Sequence, residues 1–479
     1  MLHCNYKNSN CKYIIAIYCN SHCNILIYYH QVLQRSFYVT KQDNRTSSLE
    51  KEPKNDLYRN LSKIRSSSKH SPKSPWWESA DVVTLITRPR RFGKTLNLSM
   101  LDCFFSNKYL NSDQLFKNLS IWHYPQFHNL CNNYPVLFIS FASVKGTNYQ
   151  TARAQIIQEI ITLYRNNDNV RNADFLTDMD KLFWSKINYE MTDAIATDSI
   201  RFLCEILSKY YNQKVIILLD EYDTPIHEAY TDGFWSEMTG FIRNLFNATL
   251  KTNPYLERAL LTGITRISTE SIFSDLNNLK VDTITNARFD KDFGFTESEV
   301  RNALLSYGLS NTFEDVKKWY DGFTIGKCTE IYNPWSVTQY LDERTLGNYW
   351  ANTSENSLVE KLIREGSIDV KKSMESLLKG DTIEVLIDDE IVFNLIDKSE
   401  SGIFSMLLAS GYLRINSYIL QSGVRKKCNV SLTNLEVLHT FEDMIKRWFC
   451  FSGQKSINRI KNAVCMAGRF SFIHNSIPI

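Results

Sequence analysis

The chain has 479 residues, of which 43% are hydrophobic and 22% charged, with a formal net charge of +3. It is too long for one ordinary domain, and its texture is that of a globular protein. The near balance of 55 basic and 52 acidic residues gives no electrostatic argument for a nucleic-acid partner. Eleven scattered cysteines, odd in number, form no disulfide framework and fit a reducing, cytoplasmic setting.

Taken in chain order, residues 1–40 are apolar, Tyr- and Cys-rich and without helical period. "CNSHC" (Cys19, His22, Cys23), with Cys4 and Cys11 upstream, matches no zinc spacing well and reads as free thiols. The stretch 13–29 is broken by Asn20, Ser21, His22 and Asn24, so it offers no clean span of ~20 apolar residues. It also lacks a signal peptide's uninterrupted apolar region and cleavage site, and no membrane partner is expected. Residues 41–75 are Ser- and Lys-rich and read as a solvated linker. Residues 1–79 are thus expected to be an atypical leader and linker.

An α/β texture begins near Asp81. "VVTLIT" (82–87), "YPVLFISF" (134–141), "KVIILLDE" (214–221) and "RALLTGIT" (258–265) are predicted strands. The third is continuously apolar, as a strand buried on both faces should be. Helical patterns such as "RAQIIQEIITLY" (153–164) lie between them, which predicts a parallel sheet flanked by helices over residues 80–292. Residues 293–352 are expected to be a helical, lid-like extension, opened by a capping box at Thr296 and Glu299. Residues 353–450 read as mixed and mainly helical. There "SGYL" (410–413) fits a helix-to-strand corner better than part of a winged-helix-like element.

The chemistry sits in "TLITRPRRFGKTLNLSM" (84–100). A phosphate loop needs close backbone approach, a lysine, a hydroxyl for Mg²⁺ and a helix N-terminus aimed at the anion. Gly93, Lys94 and Thr95 supply the first three, between a strand and a helix. The position of the opening glycine is instead Arg88, followed by Pro89, Arg90, Arg91 and Phe92. A bare GKT is weak evidence. "VIILLDEYD" strengthens it, because Asp220 at a strand end can hold Mg²⁺ with Thr95 while Glu221 orients the attacking water. Asp223 is a weaker candidate, equally suited to a turn or cap. Thr262 ends a further strand and could sense the terminal phosphate; Arg266 could reach phosphate in cis or across a subunit boundary. A strand-end Thr and a solvated Arg are equally good readings of these two residues. Aromatic packing around a turn and a Ser-led helix explains "YNPWS" (332–336) better than a functional role.

Together "VTLITRPRRFGKTLNLSML", "VIILLDEYDTPI", "NPYLERALLTGITRIS", "SIFSDLNNLK", "FGFTESEV", "VKKWYDGF" and "IYNPWSV" resemble the AAA-ATPase-like family of P-loop proteins over roughly residues 80–450. Members of that family are largely bacterial and often carry a C-terminal PD-(D/E)XK nuclease-like domain. The resemblance implies ATP binding through Lys94 and Thr95, with Asp220 and Glu221 as the second acidic motif. It also makes the whole run from Arg88 to Thr95 the family's own form of the loop. Residues 451–479 are expected to be a remnant of the region before the nuclease-like domain. No Asp…Glu-x-Lys pair follows, so no nuclease activity is expected. The expected protein is a P-loop ATPase using ATP and Mg²⁺, with catalytic Lys94, Glu221 and Arg266. A nucleotide-binding switch or an inactive relic are the alternatives. A homo-oligomer is compatible with Arg266 acting in trans, and a nucleic-acid task rests on family association alone.

Overall fold

The computed structural model describes residues 76–450, apart from 110–111, 118, 268–271, 274–275, 277, 351–356, 389–395, 397–398 and 421–425. The leader thiols, the apolar stretch 13–29, the linker and residues 451–479 therefore lie outside the described residues.

Five parallel strands form the central sheet. β1 (Val83–Thr87) leads to helix α1 (Lys94–Phe105), and β2 (Val136–Ser140) follows. Helices α2 (Tyr149–Arg165), α3 (Asp178–Ser185) and α4 (Asp193–Tyr211) precede β3 (Val215–Asp220). Then come α5 (Thr224–Asp232), α6 (Trp235–Leu250), β4 (Leu256–Gly263) and β5 (Leu279–Asp282). The strand order is β2-β3-β4-β1-β5, so one strand separates β1 from β3. Ile86 lies beside Thr262 and Ser140 beside Asp220, which aligns the C-terminal ends of these strands along one edge.

The buried runs follow from a sheet covered on both faces. In β3, Val215, Ile217 and Leu219 pack into one core with Ile156, Leu203 and Ile242 of α2, α4 and α6. Ile216 and Leu218 face a second core with Leu98 and Phe104 of α1. The helices after β1 and β2 thus lie on opposite faces. Such a reversal opens a crevice beyond the strand ends, where ligands of open α/β sheets bind.

Beyond the sheet, a short antiparallel sheet appears among helices. It comprises β6 (Phe295–Thr296), β7 (Phe323–Ile325) and β8 (Cys328–Tyr332), in the order β6-β8-β7. Flanking it are α7 (Glu297–Ser306), α8 (Phe313–Tyr320) and α9 (Pro334–Glu343). The Glu299 carboxylate accepts from the Thr296 N–H at 2.8 Å, the expected capping box. Helix α9 is led by asparagine rather than serine: Asn333 Oδ1 accepts from the N–H groups of Trp335 and Ser336 at 3.0 and 3.2 Å. The last part holds α10 (Ser357–Glu365), α11 (Ile368–Leu378), β9 (Ile383–Ile387), α12 (Glu400–Ala409), β10 (Leu413–Leu420), β11 (Lys426–Leu432) and α13 (Leu435–Cys450). Its three strands pair antiparallel as β10-β11-β9. "SGYL" is a helix-to-strand corner, turned by Gly411 at φ +89°. Among the described residues no helix is long and apolar enough to cross a membrane.

Candidate nucleotide site

The crevice at the ends of β1, β3 and β4 gathers most of the residues that the motifs single out. Arg88 extends the sheet, its N–H donating to the Gly263 carbonyl at 3.1 Å. The chain then turns through Arg91 at φ 62° and Gly93 at φ 77° into α1. No acidic side chain stands in the first turn of α1, and no side chain caps it. The positive end of the helix dipole therefore faces the loop without a carboxylate of its own helix to offset it.

Lys94 is buried, and its ammonium donates to the carbonyls of Arg88 and Pro89 at 3.1 and 3.0 Å. Burial pulls its pKa down, while the carboxylates of Glu221, Asp220 and Asp223 oppose that shift. Thr95 Oγ1 donates to Asp220 Oδ2 at 2.5 Å, and Thr262 Oγ1 donates to Asp220 Oδ1 at 2.7 Å. Asp220 is 1% exposed. Burial and the neighbouring Glu221 raise its pKa, while the two hydroxyls and Lys94 hold it down. β3, β4 and the start of α1 thus bring one carboxylate and two hydroxyls into contact, with the Lys94 ammonium acting on the carboxylate electrostatically. Such hard oxygen donors suit Mg²⁺.

Glu221 follows at φ 50°, a left-handed geometry uncommon for a non-glycine residue. It is half-buried, and its carboxylate accepts from Thr224 Oγ1 at 3.2 Å. Tyr222 ties this turn to the end of β4: its N–H donates to the Thr262 carbonyl at 3.0 Å and its hydroxyl to the Thr265 carbonyl at 2.7 Å.

The arginines divide their roles. Arg88 is wholly buried, its guanidinium donating to the carbonyls of Thr87, Asp282 and Phe289 at 2.7, 3.2 and 3.0 Å. Burial lowers its pKa to about 10, with Asp282 opposing, so it stays charged at neutral pH. Only its backbone is left for the ligand contact that the sequence suggested. Phe92 is likewise buried, its ring 4.7 Å from that of Phe323, and Pro89 is buried against Gly411. The charge of Arg90 is felt by Lys94 and His227. Arg91 lies over the Trp335 ring at 4.8 Å and feels the Glu221 carboxylate. Arg266, half-buried, acts electrostatically on Tyr222 at the flank of the site.

Residues 77–273 match the family model described as a predicted AAA-ATPase. This segment is an AAA-ATPase-like domain. An uncharacterized protein from the vnfD 5′ region of Azotobacter chroococcum mcd 1 is 25% identical over 364 residues, covering 74% of this chain. The chain spans 61% of that relative's length. Among solved structures, the Aeropyrum pernix ORC2 protein (ADPNP–ADP complexes) aligns over 86% of this chain and 98% of its own, at 10% identity and a TM-score of 0.26.

Asp223 does more in the AAA-ATPase-like domain than its place in the motif suggests. Asp223 stands at the N-cap position of α5 but makes no side-chain cap there. Its Oδ2 accepts instead from the N–H groups of Ile264 and Thr265, both at 2.9 Å, and from Thr265 Oγ1 at 3.0 Å. His227 Nε2 meets the same hydroxyl at 3.0 Å. Burial lowers the His227 pKa, with Asp223 opposing. This network fixes the segment that carries Thr262 and Arg266. The spacing of Asp223, three residues after Asp220, was the only signal for it.

Proposed function

We propose that the chain binds ATP with Mg²⁺ in this crevice and hydrolyses it. The observation that carries the reading is the convergence of Thr95 and Thr262 on Asp220, beside Lys94 at the N-terminus of α1. When bound, Mg²⁺ neutralises charge on the phosphate oxygens. Thr95 and Asp220 would hold it. Lys94 would exchange its two carbonyl partners for phosphate oxygens, and the loop from Arg88 to Thr95 would cradle the phosphates. Glu221 would orient the attacking water, with Thr262 fixing the carboxylate beside it. Arg266 would contribute charge in cis, or in trans within a homo-oligomer, in a cytoplasmic protein. The domain arrangement that fits is an ATPase core over 80–292, a lid-like extension over 293–352 and a mixed region over 353–450.

The test is ATP turnover by the full chain with and without Lys94→Ala. Loss of turnover in the variant supports the site; equal turnover in both sinks it. A second reading, a nucleotide-responsive switch with little turnover, draws on the contacts of Asn333, Trp335 and Trp350 with the loop. Intact nucleotide affinity with turnover indifferent to Glu221→Gln would favour it.

A further inference from the structure

We infer that Trp350 is a positioning residue of the phosphate loop, holding from outside the AAA-ATPase-like domain a loop built without its opening glycine. The inference rests on the ATP-binding reading above.

A left-handed Arg91 at φ 62° has no intrinsic preference for that geometry and must be held by its surroundings. The peptide leading into it ends in the Arg90 carbonyl. Trp350 Nε1 donates to that carbonyl at 3.0 Å, and Asn333 Nδ2 approaches it at 3.5 Å. Fixing the carbonyl fixes the peptide plane that sets the Arg91 turn.

Trp350 is itself clamped. It is 2% exposed, its N–H donates to Glu436 Oε1 at 2.6 Å, and its ring lies 5.1 Å from Tyr412 and 6.2 Å from Phe323. The other Glu436 oxygen accepts from Ser336 Oγ at 2.8 Å, in the helix that Asn333 caps. Next to Tyr412, a Cβ on Gly411 would lie 2.9 Å from Pro89 Cβ, so backbone and proline ring already touch. All these holding groups lie beyond residue 273, where the family match ends. A buried indole needs some acceptor for its N–H. Here the acceptor belongs to the turn that must present the loop to phosphate.

The test uses the full chain and MgATP as probe. Trp350→Phe keeps an aromatic ring and deletes the donor. We expect the Kd for MgATP to rise about five- to tenfold, the scale of one hydrogen bond. In the nucleotide-free protein, amides 90–93 should exchange faster while those of β3 stay unchanged. Tyr412→Leu removes the ring packed against Trp350 and leaves the indole in place; it should loosen the same amides, and it decides the question if Trp350→Phe does not fold. Affinity and loop exchange like those of wild type overturn the inference. Faster loop exchange in a protein whose wild type binds no MgATP sinks the nucleotide reading and leaves the positioning role of Trp350 standing.

Discussion

Glu436→Gln is expected to remove a pH-dependent loss of stability. Glu436 is 1% exposed, and burial raises its pKa from 4.5 to about 7, although Trp350, Ser336 and Tyr349 donate to it. Between those values the folded protein keeps a proton that the unfolded chain has released. Stability is therefore fully present below about pH 4.5 and falls as pH rises through about 7. At ~1.4 kcal/mol per pKa unit the loss approaches ~3 kcal/mol. Glutamine keeps an acceptor for the Trp350 N–H and carries no charge to desolvate. The assay is urea unfolding of both proteins from pH 5 to pH 8. Asp220, Asp282 and Asp321 also have raised pKa values and tilt both curves alike, so the difference between the proteins isolates Glu436. A gap that stays constant with pH, or a variant that loses more stability than wild type as pH rises, refutes the argument.

Other expectations follow from the site and its frame. Glu221→Gln should cut ATP turnover by ~100-fold or more while leaving MgATP binding in place, measured by single-turnover hydrolysis and calorimetry. Gly263→Ala should destabilise by ~1–3 kcal/mol in thermal melts, because its Cβ would lie 2.6 Å from both Asp223 Oδ1 and Tyr222 Cε1. Arg88→Lys should cost ~2–4 kcal/mol in the same melts, since an ammonium cannot reproduce the forked bonds to three buried carbonyls.

Much of the sheet was legible because burial on both faces writes itself as unbroken apolar runs, as in β3. β5 was missed for the converse reason: Leu279–Asp282 is short, half polar and at the edge of the sheet. The antiparallel strands at 295–332 are too short to leave a period. Thr95, Asp220 and Thr262 were legible as strand-end or helix-start residues, and the sheet register brings them together. Arg88 was not. An arginine beside a lysine and a glycine looks like a phosphate ligand. Its actual partners, the carbonyls of Asp282 and Phe289, lie 194 and 201 residues away. "YNPWS" shows only packing in the sequence, because the Arg90 carbonyl that Asn333 approaches is 243 residues distant.

The two left-handed residues of the site, Arg91 and Glu221, show how the frame is divided. Each costs on the order of 1 kcal/mol or more unless its neighbours over-determine it. Tyr222 secures the Glu221 turn from within the AAA-ATPase-like domain, through Thr262 and Thr265. Arg91 is secured from outside it, by Trp350 on the preceding carbonyl and by Trp335 under the guanidinium. The acidic half of the crevice is therefore self-contained, whereas the loop half depends on residues 333–436. Any ligand that moves the Arg90 carbonyl must strain the Trp350–Glu436 bond at the start of α13, and any partner that shifts α13 must act back on the loop to the same extent.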